Sequence, residues 1–358
     1  MAVYLLYMAS PVIVALFLTA ALRVDINKGR NKTVYLVICG IIIALFIGLR
    51  HYNNGSGDSR VYYNLWEKLS DMPIDKFIPY LKKIDMESGF LAAVWILSKF
   101  FAHPQFMFIL SGILFAASIC HFVKNNCENP MLGLLVFNCL GMFNFMVQGL
   151  RQAIAMSICF FALEYCKKKK PLKFFILIAI AMLFHASAIV FAVVYLLSFF
   201  KLTLKSVATF AVIAGVGILL MPFLFRVINS IINDDYHMNN TENSTGGVVA
   251  ILIYLAIIIF ALMMNDYKNP DKKYTLFVYM AAVGMISLVL RNTVSTILER
   301  VGMYFACGQM VLVSDSVERV NSRTTKTIFL TMVVFLCLAV AVYKTSYSDL
   351  IPYKFFWQ

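Results

Sequence analysis

Four stretches of this sequence set ionisable side chains at the edges of apolar runs, where they could handle an anionic or hydroxylic ligand. In RHYNNGSGDSRVYYNLW, residues 50–66, Arg50 closes an apolar run, a Gly/Asn/Ser turn follows, and Asp58, Tyr62 and Tyr63 come next. Gly55 and Gly57 let such a turn fold back tightly, which would hold Arg50 near Asp58. The same residues also read as a snorkelling arginine with interfacial tyrosines. In GLRQAIAMS, residues 149–157, Arg151 and Gln152 open an apolar helix. A cation there opposes the helix dipole, so a bound anion explains it better than capping does. An arginine reaching for lipid headgroups is the plainer alternative. In AMLFHASAIVF, residues 181–191, His185 interrupts an apolar stretch and is followed by small Ala186, Ser187 and Ala188. It is either a general base or a hydrogen-bonded structural histidine. In RNTVSTILERVGMYF, residues 291–305, Arg291, Glu299 and Arg300 flank a short apolar piece with Tyr304 one turn on. These form a site or a structural ion pair.

The elements that must position these residues follow from composition. The chain has 358 residues, 61% hydrophobic and 14% charged, with mean hydropathy +0.80. Soluble domains run about 45–50% apolar and about 25% charged. One soluble core could not hide so much apolar surface, which excludes a soluble enzyme, a disulfide scaffold and a disordered chain. The expectation is an all-α polytopic membrane protein forming one multi-span domain over 1–358. A spanning helix needs about 20 apolar residues. Segments near 3–22, 33–49, 104–123, 130–148, 152–166, 206–225, 247–264, 274–290 and 327–343 qualify or nearly do, with shorter candidates at 89–102 and 301–313. The stretch 172–200 is too long for one straight span and is expected to be two half-length helices meeting at His185. Ten to twelve membrane segments result. The first lacks a basic leader and reads as an uncleaved anchor. The eight cysteines lie mostly in apolar segments without CxxC spacing and read as core residues rather than disulfides or metal ligands.

The loops sort by charge. Basic segments at 23–32, 167–173, 201–205, 265–273 and 314–326 read as cytoplasmic. The long segment 50–88 carries six basic and six acidic residues, and 227–246 is acidic and Asn-rich; both read as extracytoplasmic loops. These anchors leave one pass too many between residues 89 and 148, so 89–102 is expected to be re-entrant or interfacial. On this topology fourteen of 21 lysines face the cytoplasm, whereas six of ten arginines (Arg50, Arg60, Arg151, Arg226, Arg291 and Arg300) lie outside. Lysine follows the orientation rule and arginine does not. Arginine is the better bidentate binder of phosphate and carboxylate. No P-loop, dinucleotide fingerprint, nucleophile elbow or metal-spaced cluster is present in the sequence, and the aromatics suit a membrane rather than nucleic acid.

At these constellations the chain resembles the EpsG family of Wzy-type polysaccharide polymerases. The matching residues are Arg50, Asp58 and Tyr62; Glu87 opening the next segment; Arg151, Gln152 and Ala155; Phe184, His185, Ser187 and Ala188; and Arg300, Tyr304 and Phe305. Their order and spacing cover roughly residues 30–310, although the turn after Arg50 is wider than the family form. The resemblance implies polymerisation of polyprenyl-diphosphate-linked oligosaccharide units into O-antigen, capsule or exopolysaccharide, outside the bacterial inner membrane. Membrane lipid is the expected surrounding, with room for a chain-length regulator protein and no cofactor or metal. Arg50, Arg151, Arg291 and Arg300 would hold diphosphate, with Gln152, Tyr62, Tyr304 and Glu87 lining the substrate, and His185, Asp58 and Glu299 are the candidate bases. A flippase for the same lipid-linked units, an O-antigen ligase and a membrane acyltransferase are the alternatives.

Overall fold

The computed structural model describes residues 1–52, 54, 58–232, 245–266, 271–295, 297–345 and 351–358, with backbone alone at 224–232, 245–246, 292–293 and 345. Regular structure among the described residues is helical throughout, so backbone polar groups are satisfied within each segment, as lipid requires. The fold is that of a polytopic membrane protein. Among the described residues, six helices are long and apolar enough to cross a bilayer, and a bent pair makes a seventh. Four shorter apolar helices account for most of the remaining expected segments. The described residues form two compact units, one of 1–189 with 322–358 and one of 190–321.

The first unit begins with α1 (Ala2–Leu16), continued by one wide turn, then α2 (Gly29–Gly48). The segment 50–88, expected as a loop, is largely two helices, α3 (Asp58–Ser70) and α4 (Ile74–Leu81). On α3 the buried residues are Tyr62, Leu65, Trp66 and Leu69 besides Ser59, an i, i+3, i+4, i+7 stripe that packs on α5 (Ser88–Phe100). Lys99 donates to Ser70 O at 2.6 Å and Met72 O at 2.9 Å, satisfying carbonyls at the end of α3. Then come α6 (Gln105–Asn126), α7 (Pro130–Cys139), α8 (Met142–Gln148), α9 (Leu150–Lys167) and α10 (Pro171–Met182). Small residues four apart on α2, Gly40, Ala44 and Gly48, let α6 approach closely; a Cβ on Gly112 would lie 2.9 Å from Ala44 O.

The 89–102 segment is a helix of 13 residues, about 20 Å long and too short to span. A second interruption was not anticipated: α7 and α8 meet at a 55° bend. Gly141 sits there at φ +110°, a left-handed conformation suited to glycine. Lys344, on α17 (introduced below), donates to Leu140 O at 2.8 Å and so satisfies a carbonyl left open by the break.

The second unit holds α11 (Val193–Leu197), α12 (Leu204–Ile232), α13 (Thr245–Met263), α14 (Lys272–Thr293), α15 (Ile297–Gly302) and α16 (Cys307–Glu318). Its packing centres on α14, which touches α11, α12, α13, α15 and α16. Most of the expected 227–246 loop lies outside the described residues. The chain returns to the first unit with α17 (Arg323–Thr345) and the segment 351–358.

Within the first unit, hydrogen bonds sort the helix ends. Lys32 donates to Cys127 O at 2.6 Å and Lys167 to Asn126 Oδ1 at 2.7 Å, so the start of α2 and the ends of α6 and α9 share one end. Gln105 donates to Gly48 O at 2.6 Å and Arg50 to Val147 O at 3.0 Å, gathering the end of α2, the start of α6 and the end of α8 at the other. One end carries the lysine run. The other carries Arg50 and Arg151.

Candidate functional site

The site starts from a main-chain junction. Helix α10 stops at Met182, and the backbone turns through Leu183–His185 into a tight 3-10 segment, Ala186–Ala192. This is the break expected at His185. The carbonyl of Leu183 accepts hydrogen bonds from Gly89 N at 2.9 Å and Phe90 N at 3.3 Å, donors of the first turn of α5 that have no partner inside their own helix. A Cβ on Gly89 would sit 2.6 Å from both Leu183 O and Leu183 Cβ, so only glycine permits the contact. Glu87, the N-cap position of α5, is thereby delivered beside His185.

Glu87 joins three elements. Its Oε1 lies 2.6 Å from His185 Nδ1 and accepts from Ala186 N at 3.3 Å. Its Oε2 forms an ion pair with Arg151 Nη1, in the first turn of α9. Arg151 Nε donates to Tyr62 Oη at 3.1 Å. The guanidinium also lies over the Tyr62 ring, 5.9 Å from its centroid, and that ring meets Phe90 edge-on at 5.1 Å. The side chains of Arg151, Glu87 and His185 remain 26%, 16% and 25% exposed, so the cluster is recessed yet open. Burial opposes ionisation of Glu87, but the His185 hydrogen bond, a backbone donor and the Arg151 charge outweigh it and hold the carboxyl down to about 2. Glu87 is therefore a fixed acceptor at neutral pH. With Nδ1 turned to that carboxylate, the His185 ring is held in one orientation, as a positioned base requires.

Arg50 takes a different role from the one its sequence suggested. It is 1% exposed and donates to Asn54 O at 2.6 Å, Ser59 Oγ at 3.1 Å and Val147 O at 3.0 Å, with Phe108 under its guanidinium. Burial pushes its pKa down to about 10, which leaves it charged at neutral pH. No ion pair joins it to Asp58 among the described residues; its partner is the neighbouring Ser59. Sealed in and held by three protein acceptors, the guanidinium is not presented to a diphosphate, so Arg50 positions the backbone after α2. Asp58 lies in the first turn of α3, where a carboxylate suits the helix dipole. Gln152 is buried within α9.

The remaining expected residues belong to the second unit. Arg291 Nε and Glu299 Oε2 form an ion pair at 3.1 Å. Arg300 is exposed on α15. Tyr304 is fully buried, 6.4 Å from the Phe191 ring, and packs as core rather than as a substrate-facing ring. Arg226 falls where backbone alone is described.

Sequence reasoning missed three features. It treated Glu87 as a substrate contact rather than the hub; the glycine two residues later was the signal. The segment 351–358 was not considered at all, yet it lies against the Arg50 backbone: His51 N donates to Lys354 O and Phe356 N to Leu49 O, each at 2.9 Å. Asp315, fully buried on α16 and 2.9 Å from Lys273 Nζ, was assigned to a loop; an acid in so apolar a helix marks a buried ion pair. Among the described residues no cluster of three or more His, Cys, Asp or Glu has the geometry to hold a metal ion.

A family model described as the EpsG family matches residues 33–355. No curated protein and no solved structure matches the chain.

Proposed function

The chain thus belongs to the EpsG family, a family of Wzy-like polysaccharide polymerases and exopolysaccharide biosynthesis proteins, and from that premise we propose that it joins polyprenyl-diphosphate-linked oligosaccharide units at the extracytoplasmic face of a bacterial inner membrane. The product is O-antigen, capsule or exopolysaccharide. The growing chain on one lipid diphosphate is the donor, and a hydroxyl of the next lipid-linked unit is the acceptor. As the new bond to the anomeric carbon forms, His185 Nε2 takes the acceptor proton. The bond to the diphosphate breaks, and that group departs with the electron pair. Glu87 orients the imidazole and stabilises the imidazolium that results. Arg151 has Nη2 left to meet the charge developing on the diphosphate. Its own charge is balanced by Glu87, so it works as an aimed donor in a recessed site rather than through surplus positive charge. Arg50 holds the backbone after α2, and Asp58 is the reserve candidate for the base.

The observation that carries this reading is Glu87 bridging Arg151 and His185 at the end of the first unit opposite the lysine run. The test is polymer analysis in cells carrying Arg151→Ala or His185→Ala, alongside elongation of lipid-linked units by the purified protein in detergent. Both folded variants are expected to lose polymer while lipid-linked units persist. Wild-type chain length in both overturns the assignment. Transport of units across vesicles without elongation identifies a flippase instead, single units capped onto lipid A a ligase, and an acylated glycan an acyltransferase.

A further inference from the structure

At the Arg50 end of the first unit, aromatic rings that the reaction does not use gather around the segment 351–358. The Trp357 indole stacks on Phe355 with ring centroids 4.6 Å apart and planes 7° from parallel, and Phe356 meets its edge at 5.0 Å. One indole face is covered by Phe355, and Trp357 as a whole is 60% exposed. His103 lies 6.4 Å from Phe356 and 6.3 Å from Tyr63. Tyr63 pairs with Tyr52 at 4.5 Å, and Tyr52 stacks on His51 at 4.3 Å. The result is a row of rings in steps about the width of a sugar ring. It is anchored by the main-chain bonds from His51 to Lys354 and from Phe356 to Leu49, and by Asn54 Nδ2 donating to Lys354 O at 2.6 Å. The row is thus fixed to the same short stretch of chain that carries Arg50.

We propose that this row is a binding surface for the carbohydrate part of the substrate, a run of pyranose rings; the inference rests on the polymerase reading above. The electron-rich face of an aromatic ring attracts polarised C–H groups, and one face of a pyranose presents several of them together. Tyrosine and tryptophan supply that area at low conformational cost because they have few rotatable bonds. The imidazoles of His51 and His103 and the hydroxyls of Tyr52 and Tyr63 bring hydrogen-bonding groups to the row, which sugar hydroxyls use and lipid tails do not. His103 Nδ1 already accepts from Gln105 N at 3.0 Å, which fixes its ring. The competing account is an interfacial belt, in which rings anchor the protein at the headgroup level. Here one ring leans on the next, and the segment bearing three of them is bonded to the protein backbone rather than left to the lipid.

The full chain in lipid nanodiscs provides the test, with oligosaccharides cut by mild acid from the producing cells' own polymer, free of lipid and diphosphate, as the probe. Of the three tryptophans, Trp66 is buried and Trp95 donates to Met72 O, so Trp357 is the exposed reporter. The expected result is a saturable change in emission that Trp357→Phe abolishes while that variant still binds the oligosaccharide by saturation-transfer NMR. Tyr52→Ala and Trp357→Ala should each weaken binding about tenfold, and in cells should shorten the polymer without stopping its initiation. Unchanged oligosaccharide affinity in both alanine variants, with normal elongation by the wild type, overturns the sugar surface and leaves the polymerase reading standing. Strong quenching of Trp357 by brominated phospholipids, undiminished by the oligosaccharide, also overturns it in favour of the belt. Oligosaccharide binding by a wild-type protein that never elongates lipid-linked units overturns the polymerase reading alone.

Discussion

Arg50 and Arg151 stand in similar sequence settings, each at the edge of an apolar run, yet the structure puts them to opposite uses. Arg50 is sealed in, and two of its three acceptors are main-chain carbonyls. Arg151 is part-exposed, and its partners are a carboxylate that also holds a histidine and a phenol. A guanidinium surrounded by carbonyls organises backbone. One that shares its carboxylate with an imidazole and keeps a face toward solvent is equipped for chemistry. The contrast can be broken by five substitutions.

The largest effect belongs to Arg151→Ala, expected to lower elongation by about 10³-fold with little change in the detergent melting temperature; a rate within tenfold of wild type would erase its distinction from Arg50. Arg50→Ala is expected to do the reverse. It strands three acceptors in the interior and costs roughly 3 kcal/mol of stability, read as a lowered Tm, while molecules that remain folded keep their catalytic rate. His185→Ala should cost about 10²-fold in elongation. Glu87→Gln, measured beside it, should also alter acid stability. The Glu87 carboxyl is held below its unfolded value, so its contribution is present above pH ~4.5 and is lost as pH falls toward about 2. The wild type should therefore lose stability through that window more steeply than Glu87→Gln. The smallest effect is that of Tyr62→Phe, which removes one acceptor from Arg151 and should cost about 1 kcal/mol in transition-state stabilisation, visible as a several-fold fall in kcat/KM.

Most of the long spans and the helix break at His185 were legible because each depends on side-chain polarity along one stretch of chain. Arg151 could be singled out because a cation at the start of an apolar helix conflicts with the helix dipole. What held Arg50 could not be read, since every residue owns a carbonyl and nothing in Asn54 or Val147 advertises that theirs is the one used. Glu87 was named only through the family resemblance, and its role as the link between Arg151 and His185 was hidden among the balanced charges of 50–88. The bend between α7 and α8 rests on Gly141 and on a lysine some two hundred residues later in the chain, a pairing that no local pattern encodes. The 351–358 segment joins residues near position 50 through main-chain bonds across about three hundred residues, and such bonds leave no compositional trace.

The junction of Gly89 with Leu183 has a consequence for how this site tolerates drift. The spacing between the carboxylate and the imidazole is set by two peptide N–H groups on one carbonyl, so the apolar side chains of α5 and α10 can exchange among themselves without altering it. Nearly all of that freedom ends at one hydrogen atom. A methyl group at position 89 would meet Leu183 at 2.6 Å, prising the two backbones apart and with them the acid and the base. A lineage could repaint the surroundings of this site many times over and still be unable to add a single carbon there.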